Sequence, residues 1–204
     1  MLHPVRMGGG LPLVIRARGL GKRYGERRVF AGVDLDLDRG GFLLVTGPNG
    51  SGKTTLLRVL AGLAAPSAGE LRLPPRETVG YLGHEPLVYR ELTPLENLTL
   101  FGRLYRIPER SERTGMLLER FGLWDVRHER VATFSRGMQQ RLGLCRVLLH
   151  EPGLLLLDEP SNALDAHGLE LLGEILGDRS RAVAVATHDP ASVDRFATGR
   201  LAFA

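Results

Sequence analysis

Residues 47–54 read Gly-Pro-Asn-Gly-Ser-Gly-Lys-Thr, an instance of the glycine-rich pattern GxxxxGK[ST]. Glycines let successive backbone N–H groups curl around an anion, and a helix that begins at the lysine adds positive potential at the same place. The flanks suit that reading. Phe42–Thr46 is a short apolar run with the look of a buried parallel strand, and Lys53–Leu63 carries Leu56, Val59, Leu60 and Leu63 at helical spacing. Strand, loop and helix together make a phosphate-binding loop. In such a loop Gly47, Pro48, Asn49, Gly50, Ser51, Gly52, Lys53, Thr54 and Thr55 surround a nucleotide, Lys53 reaches its β- and γ-phosphates, and the Thr54 hydroxyl holds Mg²⁺. A nucleotide with Mg²⁺ is the expected ligand.

A second segment completes that chemistry. Leu154-Leu155-Leu156-Leu157-Asp158-Glu159-Pro160 is an aliphatic strand that delivers two carboxylates at its C-terminal end, the edge where α/β sheets bind ligands. Asp158 suits the Mg²⁺ shell. Glu159, one residue on and pointing the other way, suits a general base or an orienting group for an attacking water.

Around these segments the pattern is one of strands and helices in alternation. Val14–Arg18 and Val29–Asp38 read as strands. In the second, Val33, Leu35 and Leu37 share one face, and Asp34, Asp36 and Asp38 share the other, as on a surface strand. Gly69–Leu73 and Val79–Leu82 are short strands. From about 85 to 150 the pattern becomes helical: Thr93-Pro94-Leu95-Glu96 is a helix start with an N-cap, proline at N1 and glutamate at N3, and a second helix fits Ser111–Phe121. Strands at Gly153–Leu157, Ala182–Ala186 and Arg200–Phe203, with a helix at Asp165–Leu176, return the alternation that argues a mostly parallel sheet covered on both faces.

The chain has 204 residues, 43% hydrophobic and 25% charged, enough for one sizeable core and one domain. Residues 1–12 read as a loose leader. The longest aliphatic run, Leu154–Leu157, is far short of the roughly 20 apolar residues of a membrane-spanning helix. One cysteine, Cys145, sits among leucines and reads as core, so the fold needs no oxidising compartment. A formal charge of +4 spread along the chain reads as solvated surface, and nucleic acid is not an expected partner.

Further segments resemble the ABC ATPase family in kind and in order. Tyr24 is similar to the aromatic residue on which adenine stacks; Phe134-Ser135-Arg136-Gly137-Met138 resembles the signature motif, Ser161-Asn162-Ala163-Leu164-Asp165 the D-loop, and Ala186-Thr187-His188-Asp189 the switch-histidine segment. The resemblance implies a P-loop NTPase of ABC type: an α/β, RecA-like core with a small antiparallel β-subdomain and a helical subdomain. It implies Glu159, His188 and Lys53 as catalytic residues, Thr54 and Asp158 as metal ligands, and Ser135 and Gly137 as nucleotide contacts. These last two act on ATP bound to a second copy in a head-to-tail dimer. It also implies integral membrane permease subunits as partners and a peripheral place on the cytoplasmic side of the cell membrane.

Two positions depart from the family pattern: His84 stands where glutamine is usual at the Q-loop, and Arg136 where the signature usually has glycine. Tyr81-Leu82-Gly83-His84 followed by Pro86, with Leu92-Thr93-Pro94-Leu95-Glu96-Asn97-Leu98, is similar to the haem-exporter ATPases of cytochrome c maturation. The signature stretch also resembles exporter ATPases of drug and polysaccharide type. Non-transport ABC ATPases usually carry two ATPase halves or a long coiled-coil insert, and neither fits in 204 residues.

Overall fold

The computed structural model describes residues 5–7 and 13–203. At its centre is a parallel sheet of five strands in the order β6 (Val79–Leu82), β7 (Leu154–Asp158), β8 (Ala182–Ala186), β4 (Phe42–Thr46) and β9 (Gly199–Ala202). The inner strands β7 and β8 are buried at every position. Successive side chains of a strand point to opposite faces, so a strand without polar residues must be covered twice. One face, with Leu43, Val45, Leu154, Leu156 and Ala184, packs on Leu56, Leu57 and Leu60 of α1 (Lys53–Leu60) and on Ile15, Leu35 and Leu37 of a second sheet. The other, with Phe42, Leu44, Leu155, Leu157 and Val185, packs on Leu142 and Cys145 of α4 (Arg136–Leu148) and on Leu172 and Ile175 of α5 (Ala166–Gly177). Each such aliphatic side chain contributes about 1.5–3 kcal/mol by leaving water.

Helix α1 ends earlier than its apolar spacing suggests. Gly62 takes φ 68, and the Leu63 and Gly62 N–H groups donate back to the carbonyls of Arg58 and Val59, a glycine-terminated cap.

The second sheet has the order β1 (Val5–Met7), β3 (Arg27–Asp38), β2 (Leu13–Tyr24) and β5 (Ala68–Arg72). Strand β2 runs well past the expected Val14–Arg18. Gly19 at φ 57 and register shifts at Ala17/Leu20 and Leu20/Lys22 mark bulges, which break the alternation that a sequence reading relies on. Val5–Met7, within the expected loose leader, pairs in parallel with Leu35–Leu37.

That pairing bears on a correction. Asp36 and Asp38 are 8% and 1% exposed, so the carboxylate face of β3 is not the solvated face expected of a surface strand. Because β3 is flanked by β1 and β2, it lies inside its sheet, and the opposing β2 supplies the counter-charges: Arg16 is the cross-strand partner of Asp36, and Arg18 Nη2 donates to Asp36 Oδ2 at 2.6 Å.

Between β6 and β7 the chain forms the helical layer of α2 (Pro94–Leu104), α3 (Arg110–Arg120) and α4. The capping box is present: Thr93 Oγ1 accepts from Glu96 N at 3.2 Å, and Glu96 Oε2 accepts from Thr93 N at 2.8 Å. Asn97 is fully buried and ties the preceding loop to α2, accepting from Tyr89 N and donating to the carbonyls of Tyr89 and Thr93. Leu98, Leu118, Phe121 and Val131 close the layer against α4. No helix of the described residues is long and apolar enough to cross a membrane.

The arrangement of Arg18 and Asp36 is testable. The guanidinium beside Asp36 holds its carboxyl below the ordinary value of 3.8, so the stability it contributes is present above that value and is lost as pH falls through the lower folded value. Asp36→Asn is expected to cost about 1–3 kcal/mol at pH 7, as for a lost hydrogen bond to a charged group. Urea unfolding of both proteins should show the gap closing below about pH 4.

Candidate functional site

Strands β4, β6, β7 and β8 run in parallel and in register, with Leu82 beside Leu157 and Asp158 beside Ala186. Their carboxyl ends therefore place four following segments side by side. These are the glycine-rich loop after Thr46, the Gly83-His84 turn after Leu82, Glu159 after Asp158, and Thr187-His188 after Ala186.

The glycine-rich loop adopts backbone that only glycine enters without strain: φ is 144 at Gly47, 79 at Gly50 and 113 at Gly52. Side chains are also excluded sterically, since a Cβ at Gly52 would lie 2.9 Å from Val29 Cγ1 and one at Gly47 would lie 2.7 Å from the Phe203 carbonyl oxygen. Gly52 is the N-cap of α1 and offers no side-chain cap, so the first N–H groups of that helix stay available to an anion. Lys53 is 6% exposed and donates to the carbonyls of Gly47 at 2.8 Å and Pro48 at 3.0 Å. An ammonium has three donors, so one remains for a ligand.

Glu159 is 8% exposed and held from three sides. Thr187 Oγ1 donates to Oε2 at 2.9 Å; the backbone N–H of His188 donates to Oε1 at 2.9 Å; and His188 Nδ1 lies 2.9 Å from Oε1. A carboxylate has about four acceptor sites, so about one is left to face the cavity. Its backbone φ of 51 is uncommon for a residue with a Cβ and is held by its own N–H donating to Ala186 O at 2.8 Å.

Asp158 is 2% exposed, and its Oδ2 has no hydrogen-bond partner. Burial raises its pKa above 3.8; the Thr54 hydroxyl opposes the rise, the neighbouring Glu159 carboxylate adds to it, and the Lys53 ammonium opposes it. A buried carboxylate oxygen without a partner, next to a hydroxyl, is a donor set that fits a hard divalent cation such as Mg²⁺, with phosphate and water completing its shell.

A cavity of about 450 Å³ gathers most of the expected residues: Asn49, Gly50, Gly52, Lys53, Thr54 and Thr55 of the glycine-rich segment, with Asp158, Glu159, His84, His188 and Tyr24. Tyr24 is 53% exposed, with the Lys22 ammonium 4.7 Å from its ring centroid, and its flat face suits stacking on a base. Gly47, Pro48 and Ser51 form the outer curl of the loop and do not border this cavity. Ser135 and Gly137 lie elsewhere. Ser135 caps α4 by accepting from Met138 N at 3.2 Å, while Arg136 borders an adjacent groove shared with His84, Gln139 and Asn162.

Arg27, Val29 and Asn162 also line the cavity, and the sequence reading passed over all three as cavity residues. A signal existed for Arg27, which faces Tyr24 across the hairpin turn at Gly25-Glu26.

A family model described as ABC transporter matches residues 30–162, from strand β3 through the loop and both carboxylates to Asn162. The chain belongs to the ABC transporter family. Among its relatives, this ABC ATP-binding chain is 39% identical over 189 residues to the cytochrome c biogenesis ATP-binding export protein CcmA of Rhizobium meliloti, covering 86% of this chain and 91% of that protein. It is 38% identical over 184 residues to the aliphatic sulfonates import ATP-binding protein SsuB 3 of Rhodococcus jostii, covering 88% and 67%. The chain spans 61% of the length of another relative, the uncharacterized ABC transporter ATP-binding protein YdbJ of Bacillus subtilis. Its fold matches a solved dimeric post-hydrolysis state of an ATP-binding cassette bound to ADP and Pi, at a TM-score of 0.82 and 26% identity, over 93% of this chain and 94% of the other. The mixed α/β architecture is thus that of the ABC-type P-loop fold.

The raised pKa of Asp158 gives a test on the ligand-free ABC domain. Its charged form is penalised by burial, so the fold is favoured with the carboxyl protonated, and that advantage is lost as pH rises through the raised folded value. Asp158→Asn is expected to melt at a higher temperature than wild type at pH 7 without nucleotide, with the difference shrinking as pH falls towards the unfolded value of 3.8. Addition of Mg²⁺ with nucleotide should reverse the order, because only the wild type keeps the metal ligand.

Proposed function

We propose that this chain is the ATP-hydrolysing motor subunit of an ABC transporter whose membrane-spanning parts lie on other chains. The observation that carries this reading is the meeting of the glycine-rich loop, Asp158 and Glu159 in one cavity, with Glu159 held by Thr187 and His188. The N–H groups of the loop and of α1 cradle the phosphates, and the Lys53 ammonium turns from the Gly47 and Pro48 carbonyls to the β- and γ-phosphates. Tyr24 stacks on adenine. Thr54 and Asp158 would hold Mg²⁺, which would supply charge neutralisation at the phosphates. Glu159 takes the proton of the attacking water at its free lone pair, and the His188 ring keeps the carboxylate aimed.

The signature residues support a head-to-tail dimer. Ser135 and Gly137 stand at the start of α4, whose first turn has no acidic residue, and they do not border the chain's own cavity. An anion site in that place serves a second copy of the chain. The helical layer between β6 and β7 then passes motion to the permease on the cytoplasmic side of the membrane.

Within the family we favour the complex that exports haem for cytochrome c maturation. The feature that supports it is the Tyr81-Leu82-Gly83-His84 turn. Co-purification from solubilised membranes is expected to recover integral membrane proteins of that system. Recovery of a drug or sulfonate permease instead would reassign the complex while leaving the motor reading intact.

Glu159→Gln spares the phosphate cradle and the Mg²⁺ ligands but removes the proton acceptor. It is expected to bind ATP with wild-type affinity, to turn over about 10²–10⁴-fold more slowly, and to accumulate as an ATP-bound dimer on a sizing column. Near-normal turnover would contradict the assigned role.

A further inference from the structure

Along α4 and just past its end, successive turns meet the segments around the site. A Cβ at Gly137 would lie 2.5 Å from Ala163 O; Gln140 Nε2 donates to Pro160 O at 3.3 Å; a Cβ at Gly143 would lie 2.5 Å from Pro86 Cβ; and His150 Nε2 lies 3.2 Å from Val79 O. Spaced three or four residues apart, these contacts follow a line that winds around the helix, since each step of three falls about 60° short of a full turn. They touch the segment just after Glu159 and the turn that carries His84.

Arg146 is on that line and is unlike its neighbours. It is 6% exposed, and its partners are carbonyls and rings: Nη2 donates to Tyr81 O at 2.9 Å, Nε donates to Pro86 O at 3.3 Å, and the guanidinium carbon lies 5.3 Å from the centroid of Phe101 in α2. Burying a full charge against neutral acceptors is costly, and a methionine or leucine would fill the same space more cheaply. What an arginine adds is direction. Nε–H and Nη2–H form one rigid edge of a planar fork, and that edge spans the two carbonyls that bracket residues 82–85. An ammonium on a flexible stem cannot fix two acceptors in one plane.

We infer that Arg146 is a positioning residue that clamps both ends of the His84 turn onto the signature helix, so that His84 is held at the cavity wall facing Asp158. The clamp makes α4 a rigid link between the turn and the residues Ser135 and Gly137 at the helix start. Its effect on turnover rests on the hydrolytic reading above, while its effect on the turn does not.

The test uses the full chain with Arg146→Lys, and Arg146→Gln as a second variant in case the first does not fold, with melting curves to confirm folding. Amide hydrogen exchange of the peptide covering residues 82–88 is expected to be several-fold faster than in wild type, with exchange across α1 unchanged. ATP affinity should be retained while turnover falls about tenfold or more, as for a displaced site residue, and lysine should not rescue it. In a cycle with His84→Ala, the double variant should be no slower than the slower single variant, whereas a general loss of stability would make the two losses multiply. Unchanged exchange at 82–88, wild-type turnover in the lysine variant, or multiplicative losses would each overturn the clamp. If the wild type itself fails to hydrolyse ATP, the motor reading falls, and the exchange measurement alone decides whether Arg146 holds the turn.

Discussion

Strands β4, β7 and β8 bury both of their faces, so a polar side chain along their length would be cut off from water, and the chemistry they support is confined to where they end. Because the strands are parallel and in register, those ends coincide at one edge of the sheet. The glycine-rich loop, Asp158 with Glu159, and Thr187 with His188 are then neighbours although they are far apart in the chain. The two-sided burial also explains why α1 and the antiparallel sheet cover one face while α4 and α5 cover the other.

Within that frame the site concentrates arrangements that stability alone would not favour. Asp158 keeps a buried oxygen without a partner, Glu159 holds an uncommon backbone angle, and the Lys53 ammonium is sequestered on two carbonyls of its own loop. Each is tolerable because the rigid sheet beneath over-determines it. The Thr187 hydroxyl and the His188 backbone N–H matter here as much as the acidic groups, since they restrict which lone pair of Glu159 faces the cavity.

Helix α4 belongs to the core and to the helical layer at once. Leu142 and Cys145 pack on the sheet, Gln140 and Arg146 reach loops at the sheet edge, and Ser135 caps its start. From Gln140 to Val147 the helix is largely buried, and close-packed interiors shift between discrete arrangements instead of deforming smoothly. That is a physical basis for joining the state of the cavity to Ser135 and Gly137 at the helix start.

The glycine pattern at 47–54, the aliphatic strand ending in Asp158 and Glu159, and the capping box at Thr93 were legible in the linear order of residues, because each depends on the chemistry of near neighbours: backbone freedom, strand period and cap geometry. Tyr24, His84 and His188 were legible through resemblance. The burial of Asp36 and Asp38 was not, because alternation reports which residues share a face and is silent on which strands flank them; β1 and the arginines of β2 determined that. The full length of β2 was hidden by bulges, and Asn162 and Arg146 by the fact that their partners lie tens of residues away. The sequence by itself determined which residue types would face phosphate, metal and water, since that is set by local chemistry. Only the tertiary structure decided which of them share one cavity and which, like Ser135, are turned away from it, since that depends on the order and register of strands that the chain's own succession does not contain.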